Sequence, residues 1–259
     1  MTLFKTILQI ACMLLAIGGM QSLTYAEAPR SGYEYLTEST REMQDDEFAN
    51  PGMVAVEHGQ KLFNTPGDNG KTCATCHGEN GEKLNTKKIA QYPVFNPESN
   101  EPITLQKQIN LCWEDQLENA PLIDDSIDAV ALETFVRHKA KGETVNVDIN
   151  GPLKPYYEAG KELYNTRVGQ LDVACKHCHD YYAGRKSRGQ VLSQGQSNGF
   201  PIYRLGTGRI TSLQRRLREC FVSFRATPFD FGAEEWINLE AYLHARGNGL
   251  KIETPAVRY

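Results

Sequence analysis

Methionine is nearly missing from this sequence of 259 residues. Five methionines occur, and the last of them is Met53, so most of the chain has no thioether side chain. A thioether is one of the soft ligands that proteins offer to transition metals. Its absence excludes, for the whole chain after residue 53, any metal centre that depends on a methionine ligand.

The sequence also lacks a long apolar run and a strong excess of one charge. Its longest uncharged apolar stretch, residues 7–20, is too short for a stable membrane span. Lys and Arg number 28 against 32 Asp and Glu, a formal net charge of -4. This mildly acidic balance argues against general nucleic-acid binding, which requires a basic surface.

The first 26 residues have the organisation of a secretory signal peptide. Lys5 precedes the apolar run, and the small-residue site Thr24-Tyr25-Ala26 precedes Glu27. We therefore predict cleavage after residue 26, export to the periplasm, and no membrane span in the mature protein. An uncleaved N-terminal anchor is the alternative.

Four of the six cysteines beyond the signal fall into two C-x-x-C-H motifs, Cys73–His77 and Cys175–His179. Two thiols at this spacing reach the two vinyl groups of a haem, and the adjacent histidine reaches the iron. We predict two covalent haem c groups, held by Cys73 and Cys76 with His77, and by Cys175 and Cys178 with His179. A zinc site or redox-active dithiols are the alternatives, but neither requires a histidine after each pair.

The two motifs belong to an internal repeat. Residues 59–65 match 160–166, and residues 92–113 match 200–221 at a constant offset of 108 positions. The helical periodicity predicts a mainly α fold with two class I cytochrome c-like domains in tandem. We place the domains at 27–150, which includes an N-terminal helical extension, and at 151–259.

The second axial ligand of each iron cannot be a downstream methionine. His138 and His244 are possible ligands, but neither is expected on the apolar face of its helix. Cys112 and Cys220 occupy equivalent repeat positions on apolar helix faces, and a thiolate ligand would lower the haem potential. Free buried cysteines or a Cys112–Cys220 disulfide are the alternatives.

Arginines surround Cys220 but not Cys112. Arg216 stands one helical turn before Cys220, whereas Gln108 holds the matching position before Cys112. A guanidinium there would lower the pKa of the thiol and could hold a small oxyanion in bidentate fashion. Arg215 and Arg218 are expected to form a solvated basic face.

These residues, with the run Arg215–Cys220, make the chain resemble the SoxA family, the dihaem cytochromes of the SoxAX complexes of bacterial thiosulfate oxidation. The resemblance covers essentially the whole chain after residue 26. It implies His/Cys coordination of both haems, by His77 with Cys112 and by His179 with Cys220.

The resemblance also implies an activity, L-cysteine S-thiosulfotransferase. Cys220 would be the catalytic cysteine, present as a persulfide, and Arg216 would steer thiosulfate. The partners would be a SoxX-type monohaem cytochrome, a SoxYZ-type sulfur carrier and a cytochrome electron acceptor.

Two other functions compete with this one. A dihaem electron-transfer cytochrome would need no bond-forming chemistry, but downstream methionines, its usual mark, are missing. A dihaem peroxidase needs an open or His-gated haem and does not explain the pairing of Arg216 with Cys220.

Overall fold

The computed structural model describes residues 28–259. The predicted signal peptide lies outside the described residues. Within the described range the chain is mainly helical, as predicted, with short strands that the sequence analysis did not anticipate. No helix in residues 28–259 is long and apolar enough to cross a membrane.

The N-terminal extension is helical, as predicted, and leads into the first half of the repeat. It contains a 3-10 turn at Gly32–Tyr35 and helix α1 at Glu38–Asp45. The first half consists of α2 Met53–Phe63, α3 Cys73–His77, α4 Thr86–Ile89, β1 Val94–Asn96, β2 Glu101–Ile103, α5 Leu105–Leu117 and α6 Ile127–His138.

A 3-10 turn at Gly151–Leu153 opens the second half. The elements that follow are α7 Lys154–Asn165, a π-helical turn His177–Tyr181, β3 Lys186–Ser187, β4 Gln190–Val191, β5 Ile202–Arg204, β6 Arg209–Thr211, α8 Leu213–Ser223, α9 Glu234–Arg246 and β7 Ala256–Arg258. The order of helices and of the central hairpin therefore repeats between the halves.

Hydroxyl caps fix where the matching helices α5 and α8 begin. The Thr104 hydroxyl accepts the backbone N–H of Lys107 at 3.2 Å, and the Ser212 hydroxyl accepts that of Arg215 at 3.1 Å. Each cap satisfies one of the N–H groups that have no partner inside the helix. Because the caps are 108 positions apart, Cys112 and Cys220 start from the same point of their helices.

One glycine in each half lets the first and last helices pack backbone to backbone. A Cβ on Gly59 of α2 would lie 2.1 Å from the Ala131 carbonyl oxygen of α6. A Cβ on Gly160 of α7 would lie 1.9 Å from the Asn238 carbonyl oxygen of α9. The two helix crossings, which support the two C-x-x-C-H motifs, are therefore built in the same way.

Each half buries its own aromatic core. In the first half the rings of Phe63 and Phe135 lie 5.0 Å apart. In the second half Phe221 of α8 meets Trp236 of α9 edge-on, with ring centroids 4.9 Å apart. The offset and edge-on geometries are those that aromatic rings prefer.

The two ends of the described chain meet at one small sheet. Strand β5 pairs antiparallel with β6 and parallel with β7. The side chain of Gln44 accepts the Val257 N–H at 3.0 Å, and the Asn50 amide donates to the Pro255 carbonyl at 2.9 Å. The extension thus secures the C-terminal strand.

Candidate functional site

The first C-x-x-C-H motif forms the short helix α3. Thr72 and Thr75 cap it reciprocally, since each hydroxyl accepts the backbone N–H of the other residue at 3.0 Å. The helical turn brings the thiols of Cys73 and Cys76 to one side, with Cys73 half-buried and Cys76 exposed. The ring of His77 lies 6.1 Å from that of Phe63.

The second motif ends in the π-helical turn, which carries His179. The Nδ1 atom of His179 lies 2.9 Å from the Ser193 carbonyl oxygen, so Nδ1 is the protonated nitrogen and Nε2 is free to act as a ligand. Gly195 packs against the ring, where a Cβ would lie 2.8 Å from Cγ and Nδ1. Burial lowers the pKa of His179, and the charge of Arg216 lowers it further. The imidazole is therefore neutral and fixed in orientation.

Cys112 and Cys220 each lie near the first thiol of the motif in their own half. Burial, followed by the charge of Cys112, raises the pKa of Cys73 to about 11. Burial, followed by the charge of Cys220, raises the pKa of Cys175 to about 12. Both halves thus bring together two thiols, an imidazole and a further sulfur.

This donor set fits a covalently attached haem in each half. The two thiols are spaced for the vinyl groups, and the free Nε2 of His179 suits an axial bond. Among residues 28–259 all six cysteines are free, so the Cys112–Cys220 disulfide is not formed. Within that range no three His, Cys, Asp or Glu side chains are grouped so that they could hold a lone metal ion.

The histidine alternatives bond elsewhere. His138 Nδ1 lies 3.0 Å from the Thr254 carbonyl oxygen, and His244 Nδ1 lies 3.4 Å from Nη2 of Arg137. The His244 side chain is buried, but against the guanidinium of Arg137, so the structure does not place it on an apolar face. Its burial serves the contact between the halves.

The environments of the two sulfurs differ in the residue one turn earlier. Gln108 Nε2 donates to Cys112 Sγ at 3.4 Å. Arg216 instead directs Nη1 to the carboxylate of Glu219, with 3.4 Å between Nη1 and Oε2. Sequence reasoning missed Glu219, although its position beside Cys220 in an arginine-rich run was a usable signal.

Arg215 and Arg218 do not form the solvated face that the sequence suggested. Arg215 forms an ion pair with Asp125 of the first half, and Arg218 stacks on Phe231 with Cζ 4.5 Å from the ring centroid. Both are half-buried. A sequence-based helix projection cannot reveal these contacts, because Asp125 and Phe231 come from other segments.

Comparison with known proteins places this geometry in a family. The model of the SoxA/TsdA cytochrome c domain matches residues 58–145 and 159–252. The L-cysteine S-thiosulfotransferase subunit SoxA of Pseudaminobacter salicylatoxidans is 40% identical over 255 residues, covering 94% of this chain and 88% of the relative. The corresponding subunit of Paracoccus pantotrophus is 37% identical over 233 residues, covering 88% and 79%.

A solved structure agrees in three dimensions. The crystal structure of SoxXA from P. pantotrophus superposes with a TM-score of 0.83 at 34% identity, covering 89% of this chain and 87% of the matched one. The duplicated helical architecture is therefore a feature that this chain shares with a solved protein of the family.

Proposed function

This chain belongs to the SoxA family of dihaem cytochromes c, and from that membership we propose that it acts as the SoxA subunit of an L-cysteine S-thiosulfotransferase. It carries two haem c groups, one in each half. It works with a SoxX-type cytochrome subunit and acts on thiosulfate. The observation that carries this function is the arginine cluster around Glu219, the residue directly before Cys220, in the second half alone.

We propose roles for individual residues. Cys73 and Cys76 would attach the first haem and Cys175 and Cys178 the second, within domains spanning 27–150 and 151–259. The axial pairs would be His77 with Cys112 and His179 with Cys220. The hydrogen bond from His179 Nδ1 to Ser193 supports this, since it leaves Nε2 for the iron.

In the proposed reaction the sulfane sulfur of thiosulfate forms an S–S bond with the sulfur that Cys220 carries, and two electrons leave. Bound haem supplies the acceptor for those electrons. The thiol of a SoxYZ-type carrier then takes over the thiosulfonate group by exchange, losing its proton and returning Cys220 to its starting state. The net change is one new S–S bond, one proton released and two electrons passed to a cytochrome acceptor.

Cys220 would be the catalytic residue, as a persulfide, and Arg216 would bind the sulfonate oxygens. A planar guanidinium offers paired donors to an oxyanion, and Nη1 of Arg216 lies beside Glu219, on the same helix as the cysteine. We place the reaction in the periplasm, because both the predicted signal peptide and covalent haem attachment are typical of exported proteins.

The test is an assay of the reconstituted two-subunit complex with thiosulfate, carrier protein and an oxidised cytochrome. We expect the carrier to gain one S₂O₃ unit by mass, with two equivalents of acceptor reduced for each unit. Haems that accept electrons from an artificial donor while the carrier stays unmodified would instead identify a dihaem electron carrier.

A further inference from the structure

One carboxylate, that of Glu219, lies among three guanidiniums. It pairs with Arg204, contacts Arg216 with 3.4 Å between Oε2 and Nη1, and contacts Arg209 with 3.8 Å between Oε1 and Nη2. Glu219 directly precedes Cys220 on α8, whereas Arg204 and Arg209 come from the β5–β6 hairpin. Two separate elements therefore meet at this side chain.

Without a bound anion, repulsion between the guanidiniums of this cluster destabilises the folded protein. Arg204 and Arg209 are directly opposite each other in the hairpin, and like charges in that position destabilise a strand pair. Three guanidiniums around one carboxylate leave a net charge of +2. That charge is complementary to a small dianion.

The internal repeat provides a comparison within the same chain. In the first half, the positions that match the three arginines hold no arginine, and the position that matches Glu219 holds no acid. They are, in chain order, Asn96, Glu101, Gln108 and Leu111. Asn96 and Glu101 are strand partners just as Arg204 and Arg209 are, so the scaffold is the same. Folding of the domain therefore does not require the cluster.

The three arginines differ in how far their side chains are exposed and in how closely they contact Glu219. Arg204 has 13% of its side chain exposed, and its Nε also donates to the Tyr259 carbonyl at 3.1 Å. Arg216 has 35% exposed, with 3.4 Å between Nη1 and Glu219, and Arg209 has 52% exposed, with 3.8 Å. Arg204 is thus the anchor of the carboxylate, and Arg216 and Arg209 are the members that can turn towards a ligand. Of these two, Arg216 shares helix α8 with Cys220.

We propose that Glu219 is a positioning residue, which holds Arg216 beside Cys220 and gives the cluster the charge of a thiosulfate site. This inference rests on the proposed function and extends it to the selection of the substrate. Glu219 touches neither thiosulfate nor the reacting sulfur; it acts through Arg216.

The experiment compares Glu219→Gln with the unmodified two-subunit complex. We expect kcat/KM for thiosulfate to fall about tenfold, equivalent to about 1.4 kcal/mol of transition-state stabilisation, because Arg216 loses its tether. Inhibition by sulfate, a dianion that cannot react, should be unchanged or tighter, because the cluster then carries an additional net positive charge. Glu219→Asp should recover part of kcat/KM.

A charge-matched control separates positioning from neutralisation. The double variant Arg209→Gln/Glu219→Gln restores the net charge of +2 but not the tether, so its kcat/KM should stay low. Recovery in the double variant, or normal kcat/KM in Glu219→Gln, would overturn the proposal. Weakened sulfate inhibition together with lost haem absorbance in both Glu219 variants would also overturn it, since a structural role would then suffice.

Direct binding distinguishes failure of this inference from failure of the proposed function. If the unmodified complex binds thiosulfate but does not modify the carrier, the transferase assignment fails. The Glu219 proposal would still be supported if Glu219→Gln lowered the affinity for thiosulfate, relative to that for sulfate, by about tenfold. This corresponds to about 1.4 kcal/mol of binding free energy. An unchanged ratio would overturn it. Calorimetric titration of the oxidised complex with each anion gives that ratio.

Discussion

Arg137 and His244 occupy equivalent positions in the two halves and contact each other across the interface, with 3.4 Å between Nη2 and Nδ1. Around them are two carboxyls, that of Glu240 buried and that of Glu133 half-buried, each with a glutamine donor from its own half. Gln106 donates to Glu133 at 2.9 Å, and Gln214 donates to Glu240 at 2.7 Å. The halves therefore meet through a polar centre that preserves their repeat symmetry.

This centre predicts an unusual dependence of stability on pH. Burial raises the pKa of Glu133 to about 7; burial, followed by the charge of Glu133, raises that of Glu240 to about 8. Each folded carboxyl binds its proton more tightly than the unfolded one, so its stabilisation is complete below about pH 4.5 and is lost as pH rises through 7 and 8. His244, whose pKa burial lowers, is neutral in both states over that upper range.

We therefore expect Tm to fall by several degrees between about pH 6 and pH 9, at about 2–4 °C per kcal/mol for a chain of this size. The double variant Glu133→Gln/Glu240→Gln should flatten that slope, because an amide mimics the protonated acid. Thermal unfolding followed by circular dichroism measures it. The exposed Glu162→Gln serves as the control and should leave the slope unchanged; a steep slope in the double variant would contradict the assignment.

The close backbone contact at Gly160, where helices α7 and α9 cross, predicts a large loss of stability when a side chain is introduced. Gly160→Ala would force a methyl group against the Asn238 carbonyl, so α7 and α9 would have to separate. We expect a loss of about 3 kcal/mol or more, at or above the usual range for overpacking. Urea unfolding measures it, with the neighbouring exposed Lys161→Ala as the control. A loss below about 1 kcal/mol would show that the crossing tolerates a side chain.

Axial ligation by Cys112 and Cys220 predicts two separable spectroscopic signals. Electron paramagnetic resonance of the oxidised protein should show low-spin His/thiolate haems. Cys112→Ala should change one signal and Cys220→Ala the other, because each sulfur lies beside the first motif thiol of its own half. Two signals that both survive the two replacements would count against thiolate ligation.

The Arg216 side chain predicts a selective loss of activity. A charge-assisted hydrogen bond contributes about 1.5–3 kcal/mol, so Arg216→Gln should lower kcat/KM for thiosulfate by roughly one to two decades. Arg216→Lys should recover part, because it keeps the charge without the planar fork. Steady-state oxidation of thiosulfate with carrier protein, at fixed ionic strength, provides the measurement.

The matched control is Arg218→Gln, two positions along the same helix. Arg218 stacks on Phe231 and is not part of the Glu219 cluster, so its loss should reduce stability more than activity. Equal losses of activity in both variants would reduce the role of Arg216 to general attraction of anions by a basic helix. Haem content, read from the absorbance spectrum, must match the unmodified protein in each case.

The repeat explains how much could be predicted from sequence. A constant register was enough to pair Cys112 with Cys220 and to predict a mainly helical fold. Those features depend on neighbours a few residues apart or on an offset visible in the sequence. The family comparison and the structure confirm the duplicated fold.

Features formed between segments were not predicted. Read alone, α6 and α9 carry Glu133 and Glu240 among apolar residues, and nothing in either helix indicates that these two acids meet at the contact between the halves. The short strands escaped notice because two or three residues give no usable alternation. Glu219 was overlooked because its partners Arg204 and Arg209 lie on a hairpin that the sequence analysis did not foresee.

The position of β7 has a consequence for which residues can disturb the arginine cluster. The strand consists of Ala256–Arg258, and the carbonyl oxygen of Tyr259 accepts a hydrogen bond from the anchor Arg204, 55 positions earlier in the chain. A change in this short segment would therefore loosen Arg204, although none of its residues belongs to helix α8 or to either C-x-x-C-H motif. Damage to the site beside Cys220 can thus begin in a part of the sequence that carries no haem ligand and no member of the cluster.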